Sequence, residues 1–240
     1  MKKFVILAVV VLLAAGNIWA KEAFFASQPG MVLTTANLDP NSKGKKGKKA
    51  NKVESYTRLT VKDVEGSDGN MTVMYTVEGL DAKKQSYHTD GSQLPEYKLE
   101  IVDGYVEMDM RRFVGGSEGG AVTLTGDDRV RVPMTMSAGE RFKDVKMTMT
   151  IDMGSFKTVT DIMSTGHMCV AVESITTPAG TFEAYKTTQM VETVTKIGIT
   201  IRTVSTTETW HVRGIGPVQT FSYNRKGKLT GWTQLHEIKR

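Results

Sequence analysis

Apolar and polar residues alternate with a period of two along most of the chain. Val145, Met147, Met149, Ile151 and Met153 occupy every second position, with Lys146, Thr148, Thr150 and Asp152 between them. A helix would scatter such a series around its circumference, whereas a strand places it on one face. The same alternation runs through Val130, Val132, Met134 and Met136, and through Val106, Met108 and Met110 against Tyr105, Glu107 and Asp109. Ile197, Ile199 and Ile201 form a further set. Threonine is frequent throughout, and β-branched side chains suit the pleated surface.

Turn signals separate these runs. Gly66-Ser67-Asp68-Gly69-Asn70 parts a strand over 53–64 from one over 71–77, and Asp103-Gly104 is a two-residue hairpin signal. Pro178-Ala179-Gly180 makes another corner, and Lys226-Gly227 joins a strand over 218–223 to one over 229–238. Connections this short join antiparallel neighbours, because parallel pairing needs long crossovers. The strongest helix candidate is a short turn around Lys83 to Tyr87. The predicted fold is all-β: a single curled antiparallel sheet of about ten to twelve strands, between a β-roll or half-barrel and a barrel, with little helix.

The first residues carry a different pattern. Lys2 and Lys3 precede an apolar run from Phe4 to Ala15, which is too short to cross a bilayer as a helix, and Ala20 offers a small residue for cleavage. This reads as a signal peptide over 1–20 followed by one β-rich domain over 21–240, placed in the periplasm or outside the cell. The alternative is an uncleaved anchor. Charge sharpens the picture. The net charge is +5, but Lys2, Lys3 and the run Lys43, Lys45, Lys46, Lys48, Lys49 and Lys52 supply eight of the cations, so the remainder is mildly acidic. A nucleic-acid-binding face would spread its cations over a surface, so no nucleic-acid partner is expected. The stretch 41–52 is expected to be a flexible lysine-rich loop. Lys45, Lys46, Lys48 and Lys49 are its candidate contacts for anionic lipid or polysaccharide, and a solvated loop is the alternative.

Candidate chemistry is sparse. Gly115-Gly116-Ser117-Glu118-Gly119 matches G-x-S-x-G, but a strand-like segment follows it where a nucleophile elbow needs a helix. His167 and Cys169 share a strand face without an identifiable orienting residue, and Cys169, the one cysteine, excludes an intramolecular disulfide. No zinc cluster, phosphate loop or dinucleotide fingerprint is present, so no catalytic residue, metal or cofactor is assigned. The chain has 14 methionines. Pairs such as Met108 with Met110, Met134 with Met136 and Met147 with Met149 match thioether copper spacing, yet that spacing is also the strand period. Flexible thioethers on a concave face suit an irregular apolar ligand, so these six residues and Trp210 are the candidate ligand-binding set. Core packing is the alternative for Trp210 and Tyr223.

Three segments carry a resemblance: Thr177 to Lys186 (TPAGTFEAYK), Glu208 to Val218 (ETWHVRGIGPV) and Tyr223 to Leu229 (YNRKGKL). Together they resemble the TapB-like family, exported bacterial proteins built around a domain of unknown function. The lysine-rich stretch 41–52 departs from that pattern. The resemblance implies a β-rich domain in the periplasm or at the surface and transfers no catalytic residues. The function expected is non-enzymatic binding of an apolar or amphipathic ligand. The alternatives are a module that contacts an envelope protein or glycan, and a hydrolase using Ser117 or Cys169.

Overall fold

Thirteen strands form one antiparallel sheet in the computed structural model, which describes residues 23–41, 52–67, 69–109, 121–127, 129–152, 154–155 and 157–240. In chain order these are β1 (Val32–Leu38), β2 (Val53–Ser67), β3 (Asn70–Asp81), β4 (Glu96–Val102), β5 (Tyr105–Asp109), β6 (Ala121–Gly126) and β7 (Arg129–Pro133). They continue as β8 (Val145–Asp152), β9 (Lys157–Thr177), β10 (Gly180–Ile197), β11 (Ile199–Val212), β12 (Gly216–Asn224) and β13 (Leu229–Lys239). Among the described residues no helix forms, and none is available to cross a membrane. The spatial order is β6-β8-β9-β10-β11-β12-β13-β1-β2-β3-β4-β5-β7.

Local chemistry sets most of these connections. Asp103 and Gly104 both take positive φ, 49° and 78°, as a type I′ turn requires, and Val102 pairs with Tyr105 across it. The candidate helix near Lys83 is instead a turn. The Asp81 carboxylate accepts the N–H groups of Lys83 and Gln85, both at 2.8 Å, which satisfies locally the donors a helix would use. Ile197, Ile199 and Ile201 do not lie on one strand. Gly198 takes φ 67° between β10 and β11, so the run folds back on itself and Ile197 pairs with Ile199. The run through Val130 also stops early. Proline ends β7 at Pro133, and Met134 and Met136 follow beyond the strand.

The sheet curls but does not close. One part rolls around the main core, whose largest fully buried side chains include Met31, Ile101, Val61, Val73 and Leu235. The curl brings β9 back into contact with β13. Residues 23–31 run across the roll as a strap, with the Gly214 N–H donating to the Ala23 carbonyl at 2.8 Å and the Val61 N–H to that of Met31 at 2.9 Å. The other part is a wing built from β6, β8 and the outer ends of β9, β10 and β11. Cross-strand partners share a face, so Met147, Ile162 and Thr193 lie on one side of this wing. Thr148, Asp161, Val194 and Arg202 lie on the other.

The free edges are β6 and β7, which are consecutive in the chain. Between Gly126 and Arg129 the chain therefore steps from one edge of the sheet to the other, and the two edges meet at this corner without pairing. Gly126 holds the corner at φ 95°, and a Cβ there would lie 2.5 Å from the Lys146 carbonyl oxygen. Gly126→Ala is expected to lower stability by about 1–3 kcal/mol, because the obstacle is backbone and cannot swing aside. Urea titration checks this, and an unchanged midpoint would show that the corner yields freely.

Candidate functional site

A cleft lies at the seam, the corner where the two edges meet. It has a volume of about 530 Å³ and is lined on one side by Tyr105, Arg129, Arg131 and Pro133, and on the other by Arg141, Phe142, Lys143 and Val145. On β7 the arginines occupy alternate positions, so both project from the same face. They converge on Glu107 of β5, a carboxylate in a residue only 3% exposed. Arg129 Nη1 sits 2.6 Å from Oε2, and Arg131 pairs with Oε1. The Glu107 carboxylate thus sits between two guanidinium groups. The Arg131 guanidinium also lies 5.7 Å from the Tyr105 ring centroid, which holds it over an aromatic surface.

The opposite wall is fixed by backbone bonds to β9. The Cys169 N–H donates to the Glu140 carbonyl at 2.9 Å and the Phe142 N–H to that of His167 at 2.8 Å. The Phe142 and His167 rings meet edge to face at 4.7 Å. At the corner, Asp127 accepts Lys143 Nζ at 2.9 Å and the Lys146 N–H at 3.0 Å. The Lys143 bond first, then the Lys146 bond, hold its carboxyl below the usual carboxylate range. The cleft thus combines four cationic side chains and the carboxylates of Asp127 and Glu140 with the apolar surfaces of Pro133, Phe142 and Val145. Guanidinium and ammonium groups suit carboxylate or phosphate, and the apolar surfaces suit a hydrocarbon or ring system.

Behind this wall lies a buried cluster of Phe24, Met136 and Cys169 with Phe142 and Tyr185 against it. The Cys169 side chain is fully buried, its thiol donates to the Ala171 carbonyl at 3.7 Å, and burial pushes its pKa up. That disfavours the thiolate a nucleophile needs. His167 is near enough to His211 to act on it electrostatically, but burial lowers the pKa of both imidazoles. His211 Nε2 lies 3.1 Å from Thr187 Oγ1, and its Nδ1 has no partner among the described residues.

The methionines of the candidate set are dispersed. Met134 is buried in the main core, and Met136 in the cluster with Cys169. Met147 is buried on β8 beside half-buried Met149. The Met147 side chain lies on the face opposite a recess of about 420 Å³ on the wing, which Met163 and Val194 border together with Lys146, Asp161 and Glu192. Backbone pairing places Met108 opposite Val130. Met110, Ser117, the signal segment 1–20 and Lys45, Lys46, Lys48 and Lys49 lie outside the described residues. Trp210 is packed in the main core, 7% exposed, with Nε1 donating to Glu173 at 2.7 Å. Among the described residues no three His, Cys, Asp or Glu side chains gather at metal-binding range.

Sequence reasoning missed the seam. Its signal was available in Arg129-Val130-Arg131, where a strand carries two cations on one face and valines on the other. The opposing wall was not legible, because Arg141 to Val145 reach the cleft only through the curl of the sheet.

The fold is shared with two solved structures. One is a candidate lipoprotein from Parabacteroides distasonis, at a TM-score of 0.63 and 19% identity, with 91% of this chain and 99% of that one covered. The other is a candidate exported protein with a YmcC-like fold from Bacteroides fragilis, at a TM-score of 0.62 and 20% identity, covering 91% and 100%. At these identities the likeness is one of fold. No curated protein matches the chain. The family model described as DUF3108-like matches residues 41–235. This range includes the three segments read as TapB-like. It carries the broader part of that resemblance, a domain of unknown function, without the TapB-like label. With most of its length covered by that match, the chain belongs to the DUF3108-like family.

Proposed function

We propose that this is an exported envelope protein that binds an amphipathic ligand with an anionic group in the seam cleft, and that it acts without catalysis. The observation that carries the reading is the seam itself. Its volume of about 530 Å³ falls within the usual size of small-molecule sites, and in its lining Arg129, Arg131, Arg141 and Lys143 outnumber the carboxylates of Asp127 and Glu140 beside apolar surface. Export is supported by the Lys2-Lys3 start and its apolar run, and by structural neighbours named as exported protein and lipoprotein. The adjoining wing recess shares Gly126 with the cleft and adds Met163 and Val194, which extends the surface open to an apolar tail. The Met163 thioether adapts to an irregular chain. The suppressed thiolate of Cys169 supports a binding role over a cysteine hydrolase.

Native mass spectrometry of the chain purified from its own envelope, followed by organic extraction, should show a co-purifying anionic amphiphile. A fluorescent fatty acid serves as the defined probe. Arg131→Glu with Arg141→Glu is expected to weaken its binding by at least about tenfold, since two charge-assisted contacts become repulsive. A ligand-free mass together with probe binding that ignores both substitutions would remove the seam from the account.

A further inference from the structure

We infer that the projecting edge of β11 is a pairing site for a second copy of this chain. The pairing between β11 and β12 begins at Ser205 opposite Asn224. Residues 199–204 therefore run past the end of β12, while their inner side stays paired to β10 as far as Ile199 opposite Ile197. Among the described residues nothing pairs with their outer side. The end of β12 is marked by a recess bordered by Arg202, Val204, Asn224 and Lys226.

This edge differs from the two ends of the sheet. The β7 edge carries Arg129, Arg131 and Pro133, which are residues that discourage edge-to-edge association. The β6 edge is six residues long and ends in Gly126. The β11 projection reads Ile-Thr-Ile-Arg-Thr-Val, with no proline, lysine or bulge. Its one cation, Arg202, is held at 2.8 Å by Glu192 of the same hairpin. At its tip Ile197, Ile199 and Ile201 are 48%, 69% and 48% exposed.

An exposed apolar tip also suits a lipid surface, but the backbone decides between the two occupants. Insertion would carry the unpaired N–H and C=O groups of 199–204 into hydrocarbon, where nothing satisfies them. A second strand satisfies these groups and covers the isoleucines together. Antiparallel pairing about a twofold axis normal to the sheet keeps the isoleucine faces of both copies on one side, so a single surface is self-complementary. The contact is short, which makes the dimer reversible and dependent on concentration.

Sedimentation velocity over a wide concentration range tests this on the chain purified from its envelope. The expected result is a monomer–dimer equilibrium that Ile199→Lys with Ile201→Lys weakens by at least about tenfold. Both side chains are exposed, so the variant should keep the wild-type circular dichroism. Amide exchange should slow in residues 199–204 as the wild-type dimer forms. A monomer at every concentration overturns the inference, as does a dimer indifferent to the two lysines. Lysine-sensitive binding to phosphatidylglycerol–phosphatidylethanolamine vesicles without dimerisation would also overturn it, by assigning the tip to lipid.

Discussion

Trp210→Ala is expected to lower the stability of the chain by about 3–5 kcal/mol, the usual cost of deleting a large buried aromatic side chain. The ring lies in the main core, meets Phe221 edge to face at 5.6 Å, and carries the Lys186 ammonium 4.7 Å from its centroid. Truncation leaves a cavity between β11 and β12 that neighbouring strands cannot close without breaking register. Trp210→Phe separates packing from hydrogen bonding. It keeps most of the apolar volume and loses the N–H donated to Glu173. Glu173 is exposed and regains water, so that loss is expected to be about 1 kcal/mol. Urea unfolding of the two variants measures both terms. A cost below about 1 kcal/mol for the alanine variant would place the ring at a surface rather than in the core.

Trp210 also shows how far the sequence could be read. Its alternation with Val212 placed it correctly on a strand, but a buried core ring and a ligand platform have the same local pattern. Only the curl of the sheet decides which one it becomes. The hairpins were legible because their turns are local chemistry: Asp103-Gly104 and Lys226-Gly227 specify tight reversals without reference to the rest of the chain. The strand order was less accessible. β1 sits between β13 and β2, and nothing near Val32 points to Lys239, its partner across more than two hundred residues. The isoleucine set misled because a period-two pattern continues unchanged through a two-sided hairpin. Gly198 was the signal that the run turned back. The seam was hidden for another reason, since only the curl of the sheet brings the segment before β8 against β7.

Acid should destabilise this protein well above the pH at which carboxylates titrate, and His211 is the expected cause. Burial pushes its pKa from 6.5 to about 4, and the nearby His167 adds to the depression. The groups around it offer no relief. Thr187 can accept or donate at one ring nitrogen, and Phe24 covers the imidazole edge on at 6.1 Å. Arg213, which shares the Phe24 ring with the imidazole, is a cation engaged by the Phe24 and Tyr185 rings and by the Met134 carbonyl. Above pH 6.5 the imidazole is neutral in both folded and unfolded chains, so it adds no pH dependence. Between about pH 6.5 and 4 the unfolded chain binds a proton that the folded chain refuses, and stability falls as pH falls. The full loss for a shift of this size is about 3 kcal/mol, reached below the folded pKa. His167 is lowered in the same direction and adds to it. Asp90, Asp127 and Glu237 are held below their ordinary values by hydrogen bonds and cations, so their contribution is present above the unfolded carboxylate range and is lost only in more acidic solution. The two effects therefore occupy different windows. Urea midpoints measured from pH 7.5 to 4 should decline for the wild type and decline much less for His211→Gln, which can still bond Thr187 but cannot take up a proton, so that only the His167 contribution remains. A wild-type curve that is flat down to pH 5, or a variant that declines as steeply, would show that the cluster around Phe24 opens to water before the imidazole is charged.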